Sequence, residues 1–192
     1  MSTVSPSFGA DGASVSSASS THSASCFLRW RDEWAVGVDP IDTDYRMLCA
    51  LLDRIAQEFC ANHFGAAALA GDSASGDQPC LPEVGVPADK GGAKASLMLH
   101  LWVLEEHVRA HFAREEALMR ASDYPDLAAH QREHRLMLAE YVDLLREIST
   151  DDGETLNLET LRSLKGWLLG HLLDTDRKLG DYLRGLKQVT RH

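Results

Sequence analysis

Residues 93–121 read AKASLMLHLWVLEEHVRAHFAREEALMRA. Within them Leu97, Leu101, Leu104, Val108, His111, Glu115 and Leu118 recur in alternating steps of four and three. That spacing lays side chains along one stripe of an α-helix and is the seam of a helix packed inside a bundle. Two members of the stripe, His111 and Glu115, are not apolar, and they sit four residues apart near its centre. Ser122, Asp123, Tyr124 and Pro125 then break the pattern.

Three more segments carry the same period. From about Thr43 to Asn62 the stripe is Leu48, Leu51, Leu52, Ile55 and Phe59, with Tyr45 one turn earlier. From about Pro125 to Ser149 it is Leu127, His130, His134, Met137, Tyr141, Leu145 and Ile148, ended by Asp151-Asp152-Gly153. From about Leu158 to Lys187 it is Leu161, Leu164, Leu168, His171, Thr175 and Leu179. No stretch alternates with the period of two that strands require. Four long helices with mostly short connections predict an all-α, up-down-up-down four-helix bundle.

The rest of the 192 residues is of different composition. Residues 1–25 hold ten serines and almost nothing large and apolar, which predicts a disordered tail ahead of a bundle spanning 26–188. Residues 65–92 gather six of the fourteen glycines together with Pro79, Pro82 and Pro87, so a long surface loop is expected between the first two helices.

Charge and cysteine usage narrow the function classes. Nineteen Lys+Arg against twenty-nine Asp+Glu leave a net charge of −10, which argues against nucleic-acid and anionic-membrane partners. No apolar run approaches the roughly 20 residues of a membrane span, and no secretory leader is recognisable. Cys26, Cys49, Cys60 and Cys80 form no CxxC pair, so a zinc ribbon and a thioredoxin-type site are disfavoured. Free thiols in an acidic chain fit a reducing cytoplasm.

The chemistry lies in the polar members of the stripes. His111 and Glu115 are four apart, as are His130 and His134, and His171 interrupts the fourth stripe. Residues four apart share a helix face, roughly 6 Å apart along the axis. A buried imidazole or carboxylate without a partner costs on the order of several kcal/mol, so such groups pair or bind metal. One core histidine alone is more often simply hydrogen-bonded. Interruptions on three helices together read as a metal site. Neither HExxH nor a Glu-x-x-His pair occurs here, which removes the metalloprotease and ferritin-type readings. Zinc or manganese would also suit such donors.

These residues, together with Trp30, Gly37-Val38, Ile41-Asp42, Phe112, Glu116, Met119, Tyr124-Pro125, Trp167 and Asp176, resemble the bacterial haemerythrin pattern over about residues 26–188. The resemblance implies a four-helix bundle holding two non-haem iron ions that bind dioxygen reversibly. It implies His130, His134 and His171 on one iron and His111 as a terminal ligand of the other. Glu115 and Asp176 would bridge the pair together with a solvent-derived oxygen. Spacing would not choose Asp176: five residues carry it roughly 140° around an α-helix from His171, and Asp174 lies nearer that face.

The chain departs from the pattern where the chemistry is. Three residues after Asp42, where the family carries a histidine, stands Tyr45. One turn before His111, where an aromatic is frequent, stands His107. Three readings follow. His107 supplies the missing imidazole, Tyr45 ligates as a phenolate, or the position stays open to water. The first changes the charge least. A fourth arrangement leaves His107 as a core imidazole bonded to the Tyr45 hydroxyl. The long 65–92 crossing is a further departure.

The resemblance favours dioxygen carriage, storage or delivery in a small cytoplasmic protein. A sensor of oxygen, nitric oxide or redox state acting through a partner is the alternative, as is a di-iron peroxidase or oxidase.

Overall fold

A computed structural model describes residues 26–59, 90–150 and 156–189. An arm, residues 26–38, contains a short 3₁₀ turn at Asp32–Trp34 and leads into helix α1, Asp39–Phe59. Helix α2 spans Lys90–Ala121 and α3 spans Leu127–Thr150. The fourth arm is compound: α4, Leu158–His171, a π-helical turn, Leu172–Asp176, and α5, Arg177–Val189. No strand occurs among the described residues. The expected tail, residues 1–25, and nearly all of the expected loop lie outside them.

Helix α1 begins four residues before the apolar stripe suggested. Pro40 is at home in a first turn, where backbone N–H groups have no intrahelical acceptor. At the start of α4 the Asn157 side chain accepts a 2.9 Å bond from Thr160 N, an N-cap that fixes the entry.

Cross-helix pairs set the direction of each arm. Asp44 bonds Arg114 at 2.6 Å while Glu58 lies 3.2 Å from His100, so α1 and α2 run antiparallel. Gln131 bonds Glu116 at 2.7 Å and the Tyr141 hydroxyl donates to the Leu101 carbonyl at 2.8 Å, which makes α2 and α3 antiparallel. Thr175 donates to Glu133 while Tyr141 lies against Trp167, so α3 and the fourth arm are antiparallel as well. The result is the up-down-up-down bundle.

Two apolar clusters fill it. The larger contains Leu48, Leu52, Ile55, Leu101, Leu104, Leu145, Leu161 and Leu168. The smaller contains Met119, Tyr124, Leu179 and Leu183. Between them in chain order lie Glu115 on α2 and Asp176 on the fourth arm, while His111 and His171 each stand next to a member of the larger cluster, Phe112 and Leu172.

The arm is tied down by two buried aspartates. Asp53 accepts from Phe27 N and Leu28 N at 2.6 and 3.0 Å, and Asp42 accepts from Val36 N and Gly37 N at 2.8 and 3.1 Å. Gly37 has φ +80°, a left-handed conformation that glycine adopts without steric penalty. This turn brings Trp30 against Tyr45, with ring centroids 6.4 Å apart.

Candidate metal centre

His111, Glu115, His130, His134, His171 and Asp176 are each at most 3% exposed. Helix α2 contributes the first two, α3 the next two, and the fourth arm the last two. One donor atom from each of Glu115, His130, His134, His171 and Asp176 lies within 4.8 Å of every other. His130 Nε2 and His171 Nε2 stand 3.1 and 3.0 Å from Asp176 Oδ1. His134 Nε2 and His130 Nε2 stand 3.4 and 3.6 Å from Glu115 Oε2. His111 Nε2 faces the same carboxylates from the other side, 3.7 Å from Glu115 Oε2 and 3.9 Å from Asp176 Oδ2.

The π-helical turn explains how Asp176 reaches the cluster. Along a regular α-helix a five-residue step would turn it away from His171. Backbone bonding of the i→i+5 type widens the turn and brings the two residues onto one face. Asp174, which regular helix geometry favours, is exposed and pairs with Lys178 at 2.8 Å.

Sequence reasoning missed the outer carboxylates. His171 Nδ1 donates to Glu133 at 2.9 Å, and His134 Nδ1 donates to Glu116 at 3.3 Å. His111 Nδ1 lies 3.4 Å from Asp44 Oδ2. Burial pushes each of these three carboxyls up, but the facing imidazole and neighbouring donors outweigh it, and all three sit below the usual carboxylate range. Such partners fix the tautomer and aim Nε2 inward. For Asp44 and Glu133 the signal available was adjacency to a stripe residue in the chain; Glu116 also belongs to the family pattern, which gave it no role. Replacing Glu133 by alanine is expected to weaken metal affinity about tenfold, the lower end for outer-shell partners. Glu133→Gln, whose amide oxygen still accepts, should weaken it less. Competition with a chelator measures both.

The donor set fits a transition-metal ion. With Nδ1–H of His134 and His171 engaged outward, both Nε2 lone pairs point at each other across 3.1 Å. That contact is repulsive unless a cation lies between them. An ion about 2.1 Å from each of two donors at right angles leaves those donors about 3 Å apart. The Glu115 oxygens and both nitrogens of His130 have no hydrogen-bond partner, although all are buried. Such orphaned groups need a ligand.

In the metal-free chain, protons take the cation's place. Burial opposes charging His130, but Asp176 and Glu115 outweigh it and lift its pKa to about 9. His171 is raised by Asp176 in the same way. Burial would raise Asp176, but the charge of His171 and the closeness of the His130 and His171 imidazoles hold it far below the usual range. The His130 contribution to metal-free stability is therefore complete below the unfolded histidine value near 6.5 and is lost as pH rises through about 9. Denaturant melts of metal-free protein should show stability falling between those limits. A rise across that window would contradict the assignment.

Tyr45 is fully buried, and its hydroxyl donates to Asp176 Oδ2. Its ring meets His111 edge-on, with centroids 4.6 Å apart. Burial first, and then the charge of Asp176, pushes the phenol well above its ordinary pKa, so in the metal-free chain it keeps its proton. His107 is not brought to the cluster. It is half-buried, and its Nδ1 donates to the Val103 carbonyl one turn back at 2.8 Å. The expectation that His107 replaces the missing imidazole therefore has no support in the geometry, nor does a bond from His107 to Tyr45. Phe112 covers the cluster, stacked on His134 at 3.7 Å between centroids.

A sequence model of the hemerythrin HHE cation binding domain matches residues 77–183. The chain belongs to the hemerythrin family. Three relatives called bacteriohemerythrin fit the assignment. The chain is 26% identical to that of Stenotrophomonas maltophilia over 165 residues, covering 85% of this chain and 87% of the relative. It is 30% identical to that of Methylococcus capsulatus over 92 residues, covering 48% and 70%. It is 24% identical to that of Clostridium acetobutylicum over 153 residues, covering 79% and 98%. No solved structure matches. The matching family model describes a cation-binding domain, the cluster is able to hold a metal ion, and no described helix is long and apolar enough to cross a membrane.

Proposed function

We propose that this hemerythrin-family chain binds dioxygen reversibly at a pair of non-haem iron ions in the bundle core, for carriage, storage or delivery. The observation that carries the reading is the convergence of three imidazole Nε2 atoms and two carboxylates on one buried point, with a fourth imidazole, His111, facing the same carboxylates from beyond it. In this reading His130, His134 and His171 hold one ion and His111 is a terminal ligand of the other. Asp176 turns Oδ1 toward His130 and His171 and Oδ2 toward His111, which suits a bridge, and Glu115 Oε2 lies within 3.7 Å of His134, His130 and His111. Bound ferrous iron supplies the electrons that dioxygen binding requires.

The protein's own contribution is to hold and to exclude. Glu133 and Glu116 fix two imidazoles from outside. Phe112, buried and packed against the rings of His111, His134 and His171, screens the site from water, which protects a reactive centre from side reactions. A reducing cytoplasm is the compartment this reading assumes, and Cys26 and Cys49 carry free thiols. The test is an oxygen cycle on protein loaded anaerobically with ferrous iron. Carriage predicts a visible band that forms with oxygen and disappears under vacuum over repeated cycles. Irreversible oxidation on first exposure, or sustained consumption of peroxide, overturns it in favour of an enzyme.

A further inference from the structure

The two halves of the centre are unequal in donors. On one side three Nε2 atoms, Glu115 and Asp176 crowd within 4.8 Å. On the other, His111 is the single imidazole, 3.7 and 3.9 Å from the shared carboxylates. Of the two carboxylate oxygens that face this half, Glu115 Oε2 and Asp176 Oδ2, the second already accepts the Tyr45 hydroxyl. Among the described residues no imidazole outside the three-histidine half joins His111, and His107 bonds the Val103 carbonyl on its own helix. An ion entering here has to compete with an existing hydrogen bond and gains fewer nitrogen donors than its neighbour.

We propose that the chain holds one ion tightly in the His130/His134/His171 half and a second only weakly beside His111 and Tyr45, so that the second position fills according to the supply of free metal. The proposal rests on the reading that the cluster holds transition metal, and it makes the paired-ion chemistry conditional. Fewer donors and an engaged carboxylate lower affinity for any first-row divalent ion, whatever its identity. Tyr45 is then a positioning residue: it holds Asp176 toward the three-histidine half and sets the ratio of the two affinities.

The test is binding of cobalt(II) to metal-free full-length protein under argon, followed by calorimetry and by metal content after desalting. The wild type should retain one equivalent through desalting and bind a second at least 100-fold more weakly. Tyr45→His, which restores an imidazole, should bring the second affinity to within about tenfold of the first. Tyr45→Phe, which frees Asp176 Oδ2 but supplies no nitrogen, should tighten the second site severalfold and leave it weaker than in Tyr45→His, and His111→Ala should abolish it while the first equivalent persists. Far-UV circular dichroism checks that each variant is folded. Two equivalents of comparable affinity in the wild type overturn the proposal. So does loss of the second ion in Tyr45→Phe, which would make the phenol a ligand, or failure of folded Tyr45→His to tighten it. If no equivalent is retained by any form, the metal-site reading itself fails.

Discussion

Asp176→Asn lowers the affinity of the chain for its tightly held ion by roughly 100- to 3,000-fold, the equivalent of about 3–5 kcal/mol for removing one partner of a buried charged cluster. Among the described residues no other carboxylate of the cluster is so widely shared. Oδ1 lies 3.0 and 3.1 Å from His171 and His130, while Oδ2 takes the Tyr45 hydroxyl and faces His111. Asparagine has nearly the same shape, so packing is kept. What is lost is one charge and one acceptor, because the amide nitrogen donates and cannot ligate. The metal-free variant should stay helical, since the apolar side chains that fill the bundle are unchanged and the amide oxygen can still accept the Tyr45 hydroxyl. Chelator competition on wild type and variant measures the effect. A change of less than about threefold would mean that Asp176 is not a ligand.

The second large effect is on stability and falls outside the cluster. Gly180 lies in α5 against the N-terminal arm, and a Cβ there would stand 2.4 Å from the Val36 carbonyl oxygen. That oxygen cannot rotate away. Asp42 holds the backbone on both sides of it, and the Arg184 guanidinium bonds it directly. Gly180→Ala should therefore cost about 1–3 kcal/mol by overpacking, despite the helix propensity alanine gains. For a chain of this size that lowers Tm by roughly 2–10 °C. Gly166 provides the opposite case on the same arm, because a Cβ there meets nothing within 4 Å. Gly166→Ala should stabilise by about 0.5–1 kcal/mol. Scanning calorimetry on both decides it, and a Gly180→Ala protein that melts at or above the wild-type temperature contradicts the packing described.

These two sites mark where the sequence is and is not informative. The seam from Leu97 to Leu118 is legible because burial selects side chains every three and four residues. The histidines and Glu115 stand out on it because they are the wrong polarity for their positions. The break at Ser122–Pro125 is legible for the same local reasons. Asp176 is not, because the π-helical turn that brings it round leaves no pattern in residue type. Only the family resemblance pointed to it. The outer carboxylates Asp44, Glu116 and Glu133 are invisible to a stripe analysis, since they lie off the buried face and are ordinary surface residues by composition. Whether Tyr45 or His107 stands in for the missing imidazole stayed open in the sequence, because His107 lies one turn from His111 on α2 and spacing alone leaves its ring free to face the cluster or its own backbone. The geometry places the phenol on Asp176 and the imidazole on its own helix backbone.

The central claim is that three helical arms aim His130, His134, His171, Glu115 and Asp176 at one transition-metal ion. Diffraction from crystals of the iron-loaded full chain, recorded across the iron absorption edge, tests it directly. The account predicts a strong anomalous peak among those five side chains and a weaker one beside His111. A bundle interior without an iron peak, or these side chains turned outward, would contradict it.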